Sequence, residues 1–445
     1  MTNGPESPQL GFWMALALVM GNVIGAGIFL LPQALAPFGT NAIFGWGITI
    51  AGAMCIAWVL AQFARKFRGG PYAYVRAASG DLPAFMMMWA YWISIWTGAA
   101  TIAIAAISYL SSLVPVLGRP VVAPVAAVAA YWVLTFVNMR GARTAGWVQL
   151  VTTALKVLPL IAVAVVAAVL LGGGDRSAAI ADVPLSTGAI ATAAALSVFA
   201  MAGFEAATLP VGKIRDPQRT VPLATITGTA AVGVIYVATF ASILFLLPSE
   251  QIAASPAPFA DAIVPALGAA AGTAVALFAA ISALGALNGW ILCSGEVPLT
   301  LARDGVFPRW LSATTGADTP VRAQVLSSVL ATLLIASNYT RTLADLFTFM
   351  LLISTVATLF LYLGCTLASL RLTLRGQMAG TVLVLTASAG LAFAIFAFWG
   401  AGGEATMWGF ALLATGLPVY FLMRWKGSST LAEEAGPGAP PESAA

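Results

Sequence analysis

The sequence predicts an all-α polytopic membrane protein. Twelve transmembrane helices are expected, in a five-plus-five inverted repeat whose helices 1 and 6 are interrupted. Three observations carry this. Of 445 residues, 60% are hydrophobic and 8% charged, with a mean hydropathy of +0.95; soluble domains carry about a quarter charged residues. Lysine and arginine alternate between successive loops. Two apolar runs five helices apart carry glycines in mid-run and a proline near the end.

A crossing helix needs roughly 20 apolar residues. That rule marks twelve segments: 11–35, 42–64, 83–113, 120–139, 146–172, 187–210, 222–247, 264–297, 322–338, 344–370, 379–399 and 405–424. The opening MTNGPESPQL has no basic n-region, so residues 1–10 read as a short cytoplasmic segment and the first run as a retained helix. Segments 11–172 form one repeat, 187–370 the second, and 379–424 two peripheral helices. The polar, Pro/Gly/Ala-rich stretch 425–445 is expected to be a disordered cytoplasmic tail.

Charge placement tests the count. Of the 20 Lys and Arg residues, 16 fall in loops on one side, from Arg65, Lys66 and Arg68 to Arg424 and Lys426. The other side holds three, Arg119, Arg176 and Arg341, and Lys156 lies within a span. An extra or missing helix would scramble that alternation downstream. Basic loops face the cytoplasm, so both termini are expected there, in a bacterial inner membrane. The net charge of +4 then reflects loops facing anionic lipid, not nucleic acid.

Several function classes drop out. There is no histidine, which removes imidazole metal ligands and Ser-His catalysis. Cys55, Cys293 and Cys365 lie in apolar runs as buried thiols, without the spacing of a metal site or a disulfide framework. No cofactor motif and no paired carboxylates within a span supply an enzyme's apparatus. No ring of like charges or carbonyls marks a channel. No cofactor or metal is expected.

The first interrupted run is VMGNVIGAGIFLLPQAL, Val19 to Leu35, with Gly21, Asn22, Gly25, Gly27 and Pro32. The second is ALSVFAMAGFEAATLP, Ala195 to Pro210, with Gly203 and Glu205. Because five is odd, the second copy enters the membrane from the opposite face. Broken helices at matching places in inverted halves point to a transporter's binding site. Free N–H and C=O groups at a break are costly in lipid. Facing a cavity they hold a carboxylate or an ammonium. Close helix packing through small residues is the plainer account, and Gly21 and Gly25 have the spacing for it.

The motifs GNVIGAGIFLLP, GGPYAY (Gly69–Tyr74), FAMAGFEAA (Phe199–Ala207), RDPQRTVPLAT (Arg215–Thr225), SPAPFADA (Ser255–Ala262), NGWIL (Asn288–Leu292) and ARDGVFP (Ala302–Pro308) occur in order. Together they resemble the amino acid–polyamine–organocation superfamily, most closely its basic amino acid/polyamine antiporters of the arginine/agmatine type. The resemblance implies a sodium-independent exchanger, or permease, of an amino acid or amine, with a central site between helices 1, 3, 6, 8 and 10; it leaves a homodimer open. By position, it implies that Asn22, Gly25, Ala26 and Gly27 form the unwound part of helix 1. Tyr91 is an aromatic gate, Trp290 bounds the side-chain pocket, and Ser354 and Tyr362 lie near the site on helix 10. Glu205 matches the helix 6 carboxylate.

The departures bear on selectivity. Ala99 and Ile102 stand where the arginine transporters have asparagine and methionine. Phe199 replaces a tryptophan, Ala202 an isoleucine and Ala26 a serine. Losing a hydrogen-bonding amide weakens discrimination for a guanidinium. A cation could still meet Trp290 and Phe199 face-on. A small neutral amino acid is the alternative substrate, and a non-transporting sensor on the same fold a distant one.

Two charges lie within spans. Lys156 is a functional candidate because charge at that depth is expensive. It resembles a helix 5 lysine of sodium-independent relatives that stands in for a sodium ion. We expect it to donate to carbonyls near Gly21–Val23 and, with Glu205 and Tyr362, to serve gating or proton coupling; a snorkelling lysine is the other account. Glu205 reads as a gating or proton-coupling group, or as a brace satisfied by nearby N–H groups. Glu296 is expected to end helix 8 before Pro298 as a network partner of Arg or Lys. Asn288 is expected either to face the cavity or to bond a neighbouring helix. Trp13, Trp46 and Trp408 read as belt or core residues.

Overall fold

The computed structural model describes residues 11–25, 27–67, 70–140, 142–173, 183–205, 215–315 and 319–434. Ala26, Gly69, Arg176, Pro210, the first ten residues and 435–445 lie outside them. The described elements are helical throughout. Eight helices are long and apolar enough to cross a membrane: Thr40–Lys66, Asp81–Leu113, Val122–Met139, Gln218–Leu246, Ala269–Arg303, Leu343–Leu374, Thr381–Gly400 and Gly402–Trp425. They are spans 2, 3, 4, 7, 8, 10, 11 and 12. The other four appear among shorter apolar pieces, for a physical reason. Span 1 is split into Phe12–Val23 and Gly27–Leu35. Span 6 stops at Met201 (Thr187–Met201). Span 5, Ala142–Gly172, and span 9, Val321–Ala336, complete the set.

The packing has the exchange pattern that a repeat of five spans would give. If span k corresponds to span k+5, each contact should recur with its members exchanged. Span 1 packs on 7 and span 2 on 6; span 3 packs on 10 and span 8 on 5; span 4 packs on 8 and span 9 on 3. Spans 2 and 7, 3 and 8, and 4 and 9 pair with their own counterparts. Small residues repeat the pattern at one crossing. A Cβ on Gly45 of span 2 would lie 2.6 Å from Ala193 of span 6, and one on Gly228 of span 7 would lie 2.7 Å from Val19 of span 1. Glycine there lets two backbones approach.

Span 3 is the centre and span 12 the edge: 94% of the most apolar stretch of span 3 is buried, against 17% for span 12. Three details differ from the sequence expectation. Span 8 does not begin at residue 264; Pro258–Leu267 is a separate helix, ended by Gly268 at φ 82°. Nor does span 8 end at Glu296, because Pro298 lies inside a helix that continues to Arg303. A proline late in a long packed helix is tolerated where neighbouring structure satisfies the freed carbonyl. The last helix, Gly416–Glu434, runs past residue 424.

Candidate functional site

The break predicted in span 1 is present, and the helix of span 6 ends where the second was predicted. In span 1 the helix ends at Val23; Ile24 takes φ −70° and ψ 78°, outside the helical region, before the helix restarts at Gly27. The Ile24 N–H still donates to the Met20 carbonyl at 2.8 Å, and the Gly25 N–H turns back to the Val23 carbonyl at 2.6 Å. Among the described residues a Cβ on Gly25 would have only that carbonyl within 4 Å, at 3.8 Å, so its Cα faces open space there. The unwound part is shorter than expected: Asn22 lies in the last turn of the first half-helix and Gly27 opens the second, because the backbone resumes helical hydrogen bonding on either side of the break.

In span 6 the helix ends at Met201, Ala202 is extended, and Gly203 has φ 112°, a conformation that L side chains rarely adopt. The chain then folds so that the Gly203 N–H donates to the Glu205 carboxylate at 3.1 Å. An orphan donor at the break is thereby satisfied by a charge two residues on.

The two breaks touch. A Cβ on Gly27 would fall 2.7 Å from the Phe199 ring, so only a bare Cα lets the restart of span 1 lie against span 6. Phe199 in turn stacks near Trp290 of span 8, with centroids 6.4 Å apart and 30° between planes. Trp290 presses on span 3 at Gly98, where a Cβ would lie 2.8 Å from the indole and 3.1 Å from Ser354 Oγ. Ile102, one turn on from Gly98, shares its face, as does neighbouring Ala99 with Ile102; both are buried. The Ser354 hydroxyl donates to the Ser94 carbonyl at 2.9 Å, tying span 10 to span 3.

Glu205 and Lys156 are the two buried charged side chains among the described residues, 3% and 1% exposed. Tyr91 from span 3 and Tyr362 from span 10 bring their hydroxyls to the Glu205 carboxylate; that of Tyr362 stops short of a full hydrogen bond. The Tyr362 ring stacks on Phe204 at 5.3 Å. Spans 3, 6 and 10 thus converge on one carboxylate. Lys156, at 1% exposure, lies inside the protein, where a snorkelling ammonium would not be. Asn288 accepts from Asn138 of span 4 at 2.9 Å, the helix–helix alternative.

Three features escaped sequence reading. The Tyr236 hydroxyl of span 7 donates to the Val23 carbonyl at 2.8 Å, holding the end of the first half-helix. Tyr109 does the same for Phe29 in the second half, at 2.7 Å. Neither has a local signal, because each partner is far away in sequence. The third is an accessible stripe on span 8. Cys293, expected to be buried, is exposed. With partly exposed Trp290 and Glu296 and exposed Thr300, it recurs every three or four residues. At 100° per residue this stripe lies about 160° around the helix from outward-facing Leu277. Cys293 stands three residues, just under one turn, beyond Trp290 on the same helix. The stripe therefore leads from Trp290 towards the end of the helix.

Comparison with known proteins agrees with this architecture. The amino acid permease family matches residues 10–423. The chain belongs to that family. It is similar to a cadaverine/lysine antiporter of Escherichia coli K12, 37% identical over 337 residues, 74% of each chain. A putative arginine/ornithine antiporter of Bacillus subtilis 168 is 29% identical over 84% of this chain and 86% of its own. The putrescine transporter PotE of E. coli K12 is 26% identical over 94% and 97%. This amino acid permease is a multi-pass membrane transporter, not an enzyme, and its cargo is a small molecule.

Proposed function

We propose that the protein exchanges a basic amino acid for an amine across the bacterial inner membrane, without sodium, by alternating access around the paired breaks. One observation carries the reading: the unwound backbone at Ile24–Gly25 and the buried Glu205 flank a single aromatic contact, Gly27 on Phe199. Bare backbone suits the α-ammonium and carboxylate of an amino acid. Phe199 and Trp290 offer π-faces to a distal cation, and Glu205 balances positive charge. The antiporter names of the relatives favour the same class. Lys156 acts as the fixed cation of span 5. Both termini lie in the cytoplasm, on the side of the 16 basic loop residues.

The test is counterflow in sodium-free proteoliposomes. Lysine, arginine or ornithine inside should drive uptake of labelled cadaverine, putrescine or agmatine. Uptake driven instead by alanine or leucine would transfer the assignment to small neutral amino acids, which the apolar Ala99, Ile102 and Ala202 would suit. Lys156→Ala should alter the pH profile of exchange; an unchanged profile would remove its role.

A further inference from the structure

On the outer surface, spans 3, 10 and 12 enclose a groove of about 350 Å³. Its walls are apolar, from Met86, Met87, Phe360, Leu363 and Leu413, and its polar side chains are Ser79 and Arg371. Along span 10 the groove extends from Phe360 to Arg371, a rise of about 16 Å at 1.5 Å per residue. That is close to half of the ~30 Å hydrocarbon core, the depth of one leaflet. Nearby Leu367 and Leu374 of the same helix are 41% and 87% exposed, so this face of span 10 meets lipid.

The mouth is basic. Arg371 Nη1 donates to Ser79 Oγ at 2.6 Å, and Arg375 Nη1 reaches the Ala77 carbonyl at 3.5 Å. Both guanidiniums are therefore held at the end of the helix Gly70–Ser79. Neither has a carboxylate in ion-pair range among the described residues, whereas nearby Arg76 is neutralised by Asp81 at 2.7 Å. Each keeps further N–H donors for an anion at the membrane surface.

We infer that this groove is a binding site for one anionic phospholipid, with an acyl chain along spans 3, 10 and 12 and its phosphate on Arg371 and Arg375. A soluble ligand would leave the apolar walls unexplained, and a zwitterionic headgroup would leave the two guanidiniums less well neutralised. Guanidinium forks match phosphate oxygens in pairs. The lipid joins span 10, which carries Ser354 and Tyr362, to peripheral span 12.

The test is native mass spectrometry of the purified full chain with equal amounts of phosphatidylglycerol and phosphatidylethanolamine of identical acyl chains. The wild type should retain one lipid, with phosphatidylglycerol preferred by about fivefold or more. Arg371→Gln with Arg375→Gln should bring the preference close to one, with phosphatidylglycerol retention falling further than phosphatidylethanolamine retention. Equal retention of both lipids by the wild type, or an undiminished preference in the double variant, would overturn the site. Should that variant not fold, Leu363→Trp, which fills the groove with both arginines present, decides: loss of the adduct supports the site and its persistence refutes it.

Discussion

The two breaks occupy corresponding places in the two halves but are stabilised in opposite ways. Among its described residues span 1 comes apart without a positive φ, and it is held from outside, by Tyr236 on the Val23 carbonyl and Tyr109 on that of Phe29. Span 6 comes apart through a positive φ at Gly203 and is held from within, by its own Glu205. The difference divides the labour. Span 1 contributes open backbone at Gly25, whereas span 6 contributes a buried carboxylate at Glu205 and, at Phe199, the ring that packs on Gly27.

The hardest test of this comparison removes the contact between the breaks. Gly27→Val should push span 1 off Phe199 and lower counterflow by about 100-fold, the scale of a 1 Å misplacement; Phe199→Ala in the same chain should restore part of it. A Gly27→Val protein with normal exchange would show that the breaks work independently. Glu205→Gln keeps an acceptor for the Gly203 N–H but loses the charge. Exchange of cationic substrates should fall about 30-fold, ~2 kcal/mol, with melting temperature held. A drop in melting temperature with exchange intact would make Glu205 a brace only.

Gly203→Ala asks whether strain resides in span 6 alone. At φ 112° the added Cβ should cost roughly 1–2 kcal/mol and lower the thermal midpoint. The matching Gly25→Ala, with open space around its Cβ and no positive φ, should leave the midpoint in place. Equal midpoint shifts would erase the asymmetry. The smallest effect belongs to Tyr236→Phe, which leaves the Val23 carbonyl with the Gly25 N–H alone, at about 1 kcal/mol of stability; no change in a denaturation series would mean that this N–H suffices.

Much of the site was legible locally because a membrane punishes exceptions. Glycine and a carboxylate in an apolar run are costly there, so Gly25, Gly27, Gly203 and Glu205 stood out before any fold was known. Tyr236, Tyr109 and Gly98 did not, since an aromatic or a glycine in a span has many ordinary uses and its partner lies in another helix. Cys293 was misread for a related reason. Hydropathy reports that a residue is in the membrane, not whether it faces lipid, a neighbour or a vestibule.

The sequence by itself determined the twelve crossings, their alternation and the two places where helix fails. All of these follow from the length of apolar runs, the side on which basic residues fall, and the intrinsic weakness of glycine. Only the tertiary structure decided that the failures meet at Gly27 and Phe199, that two tyrosines converge on Glu205, and which side chains hold the loose carbonyls. Those are contacts between helices distant along the chain, set by how the spans pack, and no local pattern encodes them.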